Sequence, residues 1–141
     1  MIRFFWIGLV LLFVTEVNAQ IEGLWYNVDD EDGKPKSQIS IYESNGKLEA
    51  KVVKLLPAAT LTHCKECEGA NKNQPIEGMK ILWGLDKVNP REYEEGEILN
   101  PKNGKVYDCF ITLEEEDKLK VRGYLGISMF GKTQYWYRVK S

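Results

Sequence analysis

Short segments of alternating apolar and polar residues recur along this chain, whereas segments with a helical period of about 3.6 residues are few. Alternation of this kind is typical of β-strands that have one buried face. Stretches rich in Gly, Asn, Asp and Pro separate the segments, and this spacing favours an all-β sandwich or barrel. The pattern predicts about eight strands, at residues 21–28, 37–43, 47–55, 79–85, 93–99, 105–113, 118–125 and 132–140.

Most connections between these segments are short enough for hairpins. The pair Asn45-Gly46 reaches positive φ at both turn positions at little cost, so a tight hairpin should join the second and third strands. In the third strand Leu48, Ala50 and Val52 share one face, and charged residues share the other. We therefore expect this strand to be half buried.

One connection is much longer than the others. Residues 57–78 contain two prolines, two glycines and two cysteines, and few large apolar side chains, which predicts a long ordered loop. Eight antiparallel strands joined mainly by hairpins are enough to close a barrel whose interior can hold one small ligand. The sequence thus predicts a single antiparallel up-and-down β-barrel with one long loop.

The N-terminus has the layout of a secretory signal peptide. A basic residue, Arg3, precedes an unbroken apolar run over residues 4–14, and small residues end at Ala19. The run is about half of the roughly 20 residues that a membrane-spanning helix needs. We expect residues 1–19 to be removed and residues 20–141 to form one domain. The protein should then be exported, to the periplasm or the extracellular space, without stable membrane insertion.

Charge narrows the classes of partner. The chain has 141 residues and a formal net charge of −2, and its charged residues are spread along the sequence. Nucleic-acid binding is driven largely by a concentrated positive patch, so no nucleic-acid partner is expected. The sequence also lacks a basic amphipathic helix of the kind that lies on anionic membranes.

Two aromatic motifs lie at the ends of the predicted domain, Gly23-Leu-Trp25 and Trp136-Tyr-Arg138. In a closed barrel the first and last strands are neighbours, so the Trp25 ring can receive the Arg138 guanidinium across one end. We expect Trp25, Trp136 and Arg138 to close the barrel. This arrangement resembles the lipocalin and calycin superfamily, in which Gly-x-Trp on the first strand packs against an arginine from the last.

A closer resemblance covers almost the whole predicted domain. In order, the chain contains Gly23-Leu-Trp25, Cys64-Lys-Glu-Cys67-Glu-Gly69, Pro75-Ile-Glu-Gly78, Asn100-Pro-Lys-Asn-Gly104-Lys-Val-Tyr107, Leu119-Lys-Val-Arg122-Gly-Tyr124-Leu-Gly126 and Gly131-Lys-Thr-Gln134-Tyr-Trp136-Tyr-Arg138. This ordered set resembles the domain of unknown function 2147 family, a set of small exported bacterial proteins. The resemblance implies a lipocalin-like β-barrel without an established activity, and it leaves function open.

The motif Cys64-x-x-Cys67 supports three interpretations. In an exported chain a local disulfide that pins the long loop is favoured. Thiol–disulfide catalysis would need the motif to open a helix, which lowers the thiol pKa, and no helical pattern follows Cys67. A zinc site would combine both cysteines with His63 and the distant Cys109, although an oxidising compartment opposes free thiolates. We expect the disulfide and no metal.

Motifs of the common hydrolytic sites are absent from the sequence. His63 is the only histidine, which excludes H-E-x-x-H metal sites, and no G-x-S-x-G nucleophile motif occurs. We therefore expect no catalytic residues, no cofactor and no enzymatic activity.

The residues best suited to contact a ligand are Tyr107, Arg122, Tyr124 and Trp83. Alternation does not decide which face of the later strands lines the interior, because both faces carry apolar groups. Arg122 should face solvent, pair with an acidic residue such as Asp108, or receive a ligand carboxylate, because an unpaired buried guanidinium is costly.

Three functions from different classes fit this sequence, and the least favoured is a thiol–disulfide or zinc-dependent role through Cys64 and Cys67. The leading one is a non-enzymatic carrier or sensor for an apolar or amphipathic small molecule, which requires an internal cavity of at least roughly 300 Å³. The alternative is an envelope interaction module, in which the barrel is a packed scaffold and the loop at residues 57–78 meets a protein or cell-wall partner.

Overall fold

The strands of the protein form one closed barrel. The computed structural model describes residues 3, 7–12, 20–127 and 129–140. Each strand pairs antiparallel with the next, and the last pairs with the first. The strands are β1 (Gly23–Val28), β2 (Pro35–Ser44), β3 (Lys47–Leu55), β4 (Lys80–Asn89), β5 (Glu92–Asn100), β6 (Lys105–Glu115), β7 (Lys118–Tyr124) and β8 (Gly131–Arg138).

The predicted all-β up-and-down barrel is confirmed, and most strand boundaries agree within a few residues. The largest difference is at β4, which was expected to end at residue 85 and runs to Asn89. Asp86 and Lys87 continue to pair with β5 there. Residues 86–89 are all exposed, so they carry no alternation of apolar and polar positions that could reveal a strand.

The hairpin between β2 and β3 follows the sequence closely. Asn45 and Gly46 have φ values of 52° and 78°, the left-handed conformation that this tight turn requires. Leu48, Ala50 and Val52 of β3 are buried, and the charged residues between them lie on the other face. The third strand is therefore half buried, as predicted.

The topology gives the barrel two different ends. The start of β1, the end of β8 and the β2–β3, β4–β5 and β6–β7 turns lie at one end, here called the base. The β1–β2, β3–β4, β5–β6 and β7–β8 connections lie at the other end, here called the mouth. All of the longer connections are at the mouth, so that end has the greater freedom to admit a molecule.

Apolar side chains fill the half of the barrel next to the base. They alternate along the strands and are buried, and they include Trp25, Ile41, Leu48, Ala50, Leu82, Leu85, Ile111, Leu113, Leu119 and Val121. Removing this much apolar surface from water is the main stabilising contribution to such a fold.

The long β3–β4 connection is an ordered loop that packs on the barrel. It contains a single short 3₁₀ turn at Gly69–Asn71, and Ile76 and Met79 bury their side chains in the main core. The predicted disulfide is present, with the Cα atoms of Cys64 and Cys67 5.3 Å apart. The loop is thus held by a crosslink and by apolar contacts.

Among the described residues, no helix has the length and apolarity that crossing a lipid bilayer requires. The predicted signal peptide at residues 1–19 falls mostly on positions outside the described residues, namely 1–2, 4–6 and 13–19. Cleavage there stays a prediction.

Candidate functional site

The half of the barrel next to the mouth is hollow. A cavity of about 600 Å³ lies between the strands above the packed base. Known small-molecule sites occupy roughly 300 to 1,000 Å³. The cavity is therefore large enough for one small organic molecule.

Trp136 forms the floor of this cavity. Its side chain has no exposed surface, it lies among the cavity-lining residues, and its indole Nε1 donates to Gln134 Oε1 at 3.1 Å. This hydrogen bond satisfies the indole N–H, which can only donate, and holds the ring in place. Trp136 thus separates the hollow half from the packed half.

Trp25 and Arg138 close the base beneath the packed half. They face each other in the β1–β8 register, and the Arg138 guanidinium carbon lies 4.3 Å from the centre of the Trp25 ring. Arg138 also donates from Nη2 to Gln20 O at 2.6 Å and from Nε to Glu116 O at 3.0 Å. The guanidinium thus links Gln20, which precedes β1, to the β6–β7 turn.

One flank of the cavity is apolar. Val52 and Leu55 of β3, Ile81 of β4 and Ile98 of β5 line it, and Leu61 of the long loop adds to it. These strands are adjacent in the barrel. The result is a continuous apolar wall that suits a hydrocarbon surface.

The opposite flank carries neutral polar side chains. Asn27 of β1, Ser37 of β2 and Gln134 of β8 line it, and these three strands are also adjacent. Each residue lies two positions from a buried inward residue of its own strand: Trp25, Ile39 and Trp136 respectively. Strand alternation therefore directs all three side chains into the barrel.

Charged residues line the cavity only around the mouth, within the described part of the chain. Asp29 pairs with Lys102 at 3.0 Å, Asp30 with Lys132 at 3.5 Å, and Asp32 with Lys36 at 2.6 Å. The first pair joins the β1–β2 loop to the β5–β6 turn. The rim is thus a set of compensated charges.

Hydrogen bonds at this rim lower the pKa values of two carboxyl groups. The backbone N–H of Glu31, followed by the Lys102 ammonium, holds the pKa of Asp29 below its ordinary 3.8. The Lys36 ammonium, followed by the backbone N–H of Lys34, does the same for Asp32. Both carboxyl groups are therefore charged at neutral pH.

The structure places two of the four predicted ligand contacts at the cavity. Tyr107 lines it from β6, and its hydroxyl accepts a hydrogen bond from Asn103 Nδ2 at 2.8 Å. Tyr124 borders it at the rim, where its ring contacts Phe110 with the centroids 6.0 Å apart. Burial, and then the charge of Asp108, raises the pKa of Tyr124 above 10.0, so its hydroxyl stays protonated.

The other two predicted contacts do not line this cavity. Arg122 lies between the inward residues Val121 and Gly123, and therefore on the outer face of β7, where Nη1 donates to Thr133 Oγ1 at 2.9 Å. Trp83 borders a separate groove outside the barrel, beside the disulfide loop. Neither side chain contributes to the site described above.

The cysteines lie away from the cavity-lining set. Cys64 and Cys67 are buried in their disulfide. Cys109 is a buried free thiol, and burial raises its pKa to about 12. Within the described ranges, no three His, Cys, Asp or Glu side chains come together in a way that could hold a metal ion.

Sequence reasoning missed the polar flank. The signal was present, because Asn27, Ser37 and Gln134 continue the phase of buried positions on their strands toward the mouth. A polar residue in phase with a buried apolar face either costs stability or faces a cavity. The prediction named large aromatic and charged residues as ligand contacts instead.

Comparison with known proteins places this fold. A family model described as "uncharacterized protein conserved in bacteria" (DUF2147) matches residues 23–138. Protein HP1028 from Helicobacter pylori, described as belonging to the lipocalin family, superposes with a TM-score of 0.77 and 22% identity, over 87% of this chain and 85% of that chain. The likeness shows a lipocalin-like fold.

A redesigned β-barrel also matches, with a TM-score of 0.47 and 17% identity, over 87% of this chain and 95% of that chain. A score this low adds nothing to the fold assignment. No curated protein matches the sequence.

Proposed function

Because this chain belongs to the domain of unknown function 2147 family and its lipocalin-like barrel is hollow, we propose that it is a carrier or sensor for one apolar or amphipathic small molecule. The observation that carries the proposal is the cavity of about 600 Å³. A barrel that served only as a scaffold would gain stability from filling this space, since empty volume costs packing contacts.

The lining of the cavity, as far as the structure describes it, supports binding. Neutral side chains and apolar walls line the interior, and we propose a non-enzymatic role on this basis. Export fits the same role, because a disulfide suits an oxidising compartment. We propose that the protein carries or senses its ligand in the periplasm or outside the cell.

A neutral apolar dye tests this proposal directly. N-phenyl-1-naphthylamine should bind the purified protein saturably at one site and gain fluorescence, and it should quench the tryptophan emission to which Trp136 contributes. Absence of saturable binding to this dye and to a panel of apolar compounds would count against a carrier.

A variant that fills the cavity provides the decisive test of the proposal. A Cβ on Gly123 would meet Ile98 Cγ2 at 3.5 Å and Tyr107 Cβ at 3.6 Å, which are ordinary contacts. Gly123→Val should therefore fold and occupy the space, weakening dye binding at least about tenfold. Lys120→Val, on the outer face of the same strand, should leave binding unchanged. Equal binding by both variants would place the dye elsewhere.

A further inference from the structure

The cavity has two chemically different flanks, and the difference specifies its ligand further. Resting on the proposed function, we propose that the barrel selects uncharged amphipathic molecules. An apolar body would lie against β3, β4 and β5. A hydroxyl, ester or amide group would hydrogen-bond to Asn27, Ser37 and Gln134 on β1, β2 and β8.

Gln134 offers a donor to such a molecule. Its Oε1 already accepts from the Trp136 indole at 3.1 Å, and because indole only donates, the bonded atom is the oxygen. The amide nitrogen keeps two N–H groups for other acceptors. An oxygen atom of a ligand is the partner that these groups would recognise.

Tyr107 adds a second donor between the two flanks. Its hydroxyl oxygen accepts from Asn103 Nδ2 at 2.8 Å, which leaves the hydroxyl hydrogen to be donated. Ser37, which is 6% exposed, can donate and accept. Together these groups satisfy a neutral oxygen function without any formal charge.

The charges around the mouth disfavour an ionised ligand. Among the described residues that line the cavity, the charged ones are four carboxylates, Asp29, Asp30, Glu31 and Asp32, and three lysines, Lys36, Lys102 and Lys132. Each of these lysines is already in an ion pair. An anion would meet a net negative rim, and below it either sign of charge would lie among neutral groups, which is costly.

Three ligands that share one apolar body test the inference. Decanol, decanoate and decylammonium should compete with N-phenyl-1-naphthylamine, each below its aggregation concentration, at about pH 7.5. We expect decanol to bind at least tenfold more tightly than either ion, since burying an unpaired charge costs more than losing one hydrogen bond.

The pH dependence of decanoate binding shows whether the barrel rejects the anion for its charge or for its shape. An aliphatic carboxyl group titrates near the value of Glu, about 4.3, so only roughly one decanoate in a thousand is neutral at pH 7.5. If the barrel takes the neutral acid, the apparent affinity for decanoate should rise about tenfold for each pH unit that is lowered toward pH 5.5, while decanol binding stays constant.

Matched substitutions locate the effect on the polar flank. Gln134→Leu keeps the size of the side chain and should weaken decanol binding about fivefold, the equivalent of one hydrogen bond, with a smaller change in dye binding. Gln38→Leu makes the same change on the outer face of β2 and should alter neither. Because Gln134→Leu also removes the acceptor of Trp136, Ser37→Ala serves as a second variant with a milder expected loss of two- to fivefold.

The outcomes distinguish the inference from the proposed function. Binding of decanoate or decylammonium as tight as that of decanol, with dye binding intact, would overturn the selectivity and leave the carrier standing. Failure of the dye and of all three ligands to bind would overturn both. Loss of decanol binding in Gln38→Leu but not in Gln134→Leu would place the recognition outside the barrel.

Discussion

At the scale of single residues, Arg138 contributes more to the stability of the barrel than its partly exposed position suggests. Its guanidinium lies over the Trp25 ring and donates to two backbone oxygens. A cation–π contact and charged hydrogen bonds together contribute a few kcal/mol. Arg138→Ala should lower the free energy of unfolding by about 2 to 3 kcal/mol, and Arg138→Lys by about 1 to 2 kcal/mol, because lysine lacks the planar fork.

Urea denaturation followed by tryptophan fluorescence measures these changes. Arg138 Nε also lies 3.5 Å from the Asp117 carboxylate. Lys140 is the matched control, since it pairs with the same carboxylate at 3.1 Å while its side chain is 77% exposed. Lys140→Ala should change stability by less than about 0.5 kcal/mol. A similar loss in both variants would mean that charge near Asp117, and not the contact with Trp25, stabilises the base.

Cys109 should be chemically silent while the protein is folded. It has no exposed surface, and burial raises its pKa to about 12, so its thiolate, the reactive form, is scarce and out of reach. Alkylation near neutral pH followed by mass analysis should modify no thiol in the native protein, one in urea, and three in urea with reductant. Rapid native labelling would contradict the buried placement.

The same shift sets a pH window for stability. The folded state holds the Cys109 proton more tightly than the unfolded state does, because its pKa is raised from 9.0 to about 12. Its contribution is therefore complete below pH 9 and is lost as the pH rises from 9 toward 12. Cys109→Ala should show a weaker loss of stability across this range.

At the scale of elements, the disulfide loop and the β5–β6 turn form one unit. Gly104 in that turn has a φ of 70°, and a Cβ on it would overlap the carbonyl of Glu66. The disulfide sulfur of Cys64 also lies 3.6 Å from Pro101 O. Gly104 is required both for its conformation and for the close approach of the loop.

Gly104→Ala should therefore cost more than its backbone conformation alone explains. Gly33 has nearly the same φ, 68°, and open space where a Cβ would be, so Gly33→Ala measures the conformational cost, about 1 to 2 kcal/mol. Gly104→Ala should lose roughly 1 to 3 kcal/mol beyond that, from the forced shift of the loop. Equal unfolding free energies in urea would show that the loop packs there without constraint.

The contrast between hairpins and the long loop explains what sequence predicts at this scale. Asn45-Gly46 encodes its turn locally, so the β2–β3 hairpin was predicted correctly. The path of residues 56–79 depends on contacts far along the chain, such as that between Gly104 and Glu66. Local propensity carries no information about such contacts, and only the existence of the loop and its disulfide followed from the sequence.

At the scale of the whole molecule, closure and hollowness have different physical origins. Closure follows from eight strands and short hairpins, which the alternation pattern reveals. Hollowness depends on the summed volume of the inward side chains near the mouth. That volume is known only once it is known which side chains point inward: Tyr107 and Gly123 do, whereas Arg122 points outward. With apolar groups on both faces of β6 and β7, alternation alone did not decide it.

The rim also determines how fast a ligand exchanges. β1 lies four strands from β5 in the barrel, so the Asp29–Lys102 ion pair spans the mouth. Lys102→Met should increase the dissociation rate of N-phenyl-1-naphthylamine roughly two- to fivefold, the effect of losing an exposed pair. Added salt should raise the dissociation rate from the wild-type protein toward that from the variant, and it should leave the rate from the variant unchanged.

Stopped-flow displacement measures this rate, and pH adds an independent check. The pKa of Asp29 is held below 3.8 by the Glu31 backbone N–H and by Lys102, so the pair persists at neutral pH and is lost only as the pH falls through that lowered value. The rate should be constant from about pH 5 to 8 and rise only below pH 3.8, as Asp29 becomes protonated. Lys105→Met, at the start of β6 and facing the outer groove, should exchange like the wild type. An unchanged rate in Lys102→Met would indicate that the ligand exchanges past the β7–β8 loop, where exposed Leu125 and Phe130 border the cavity.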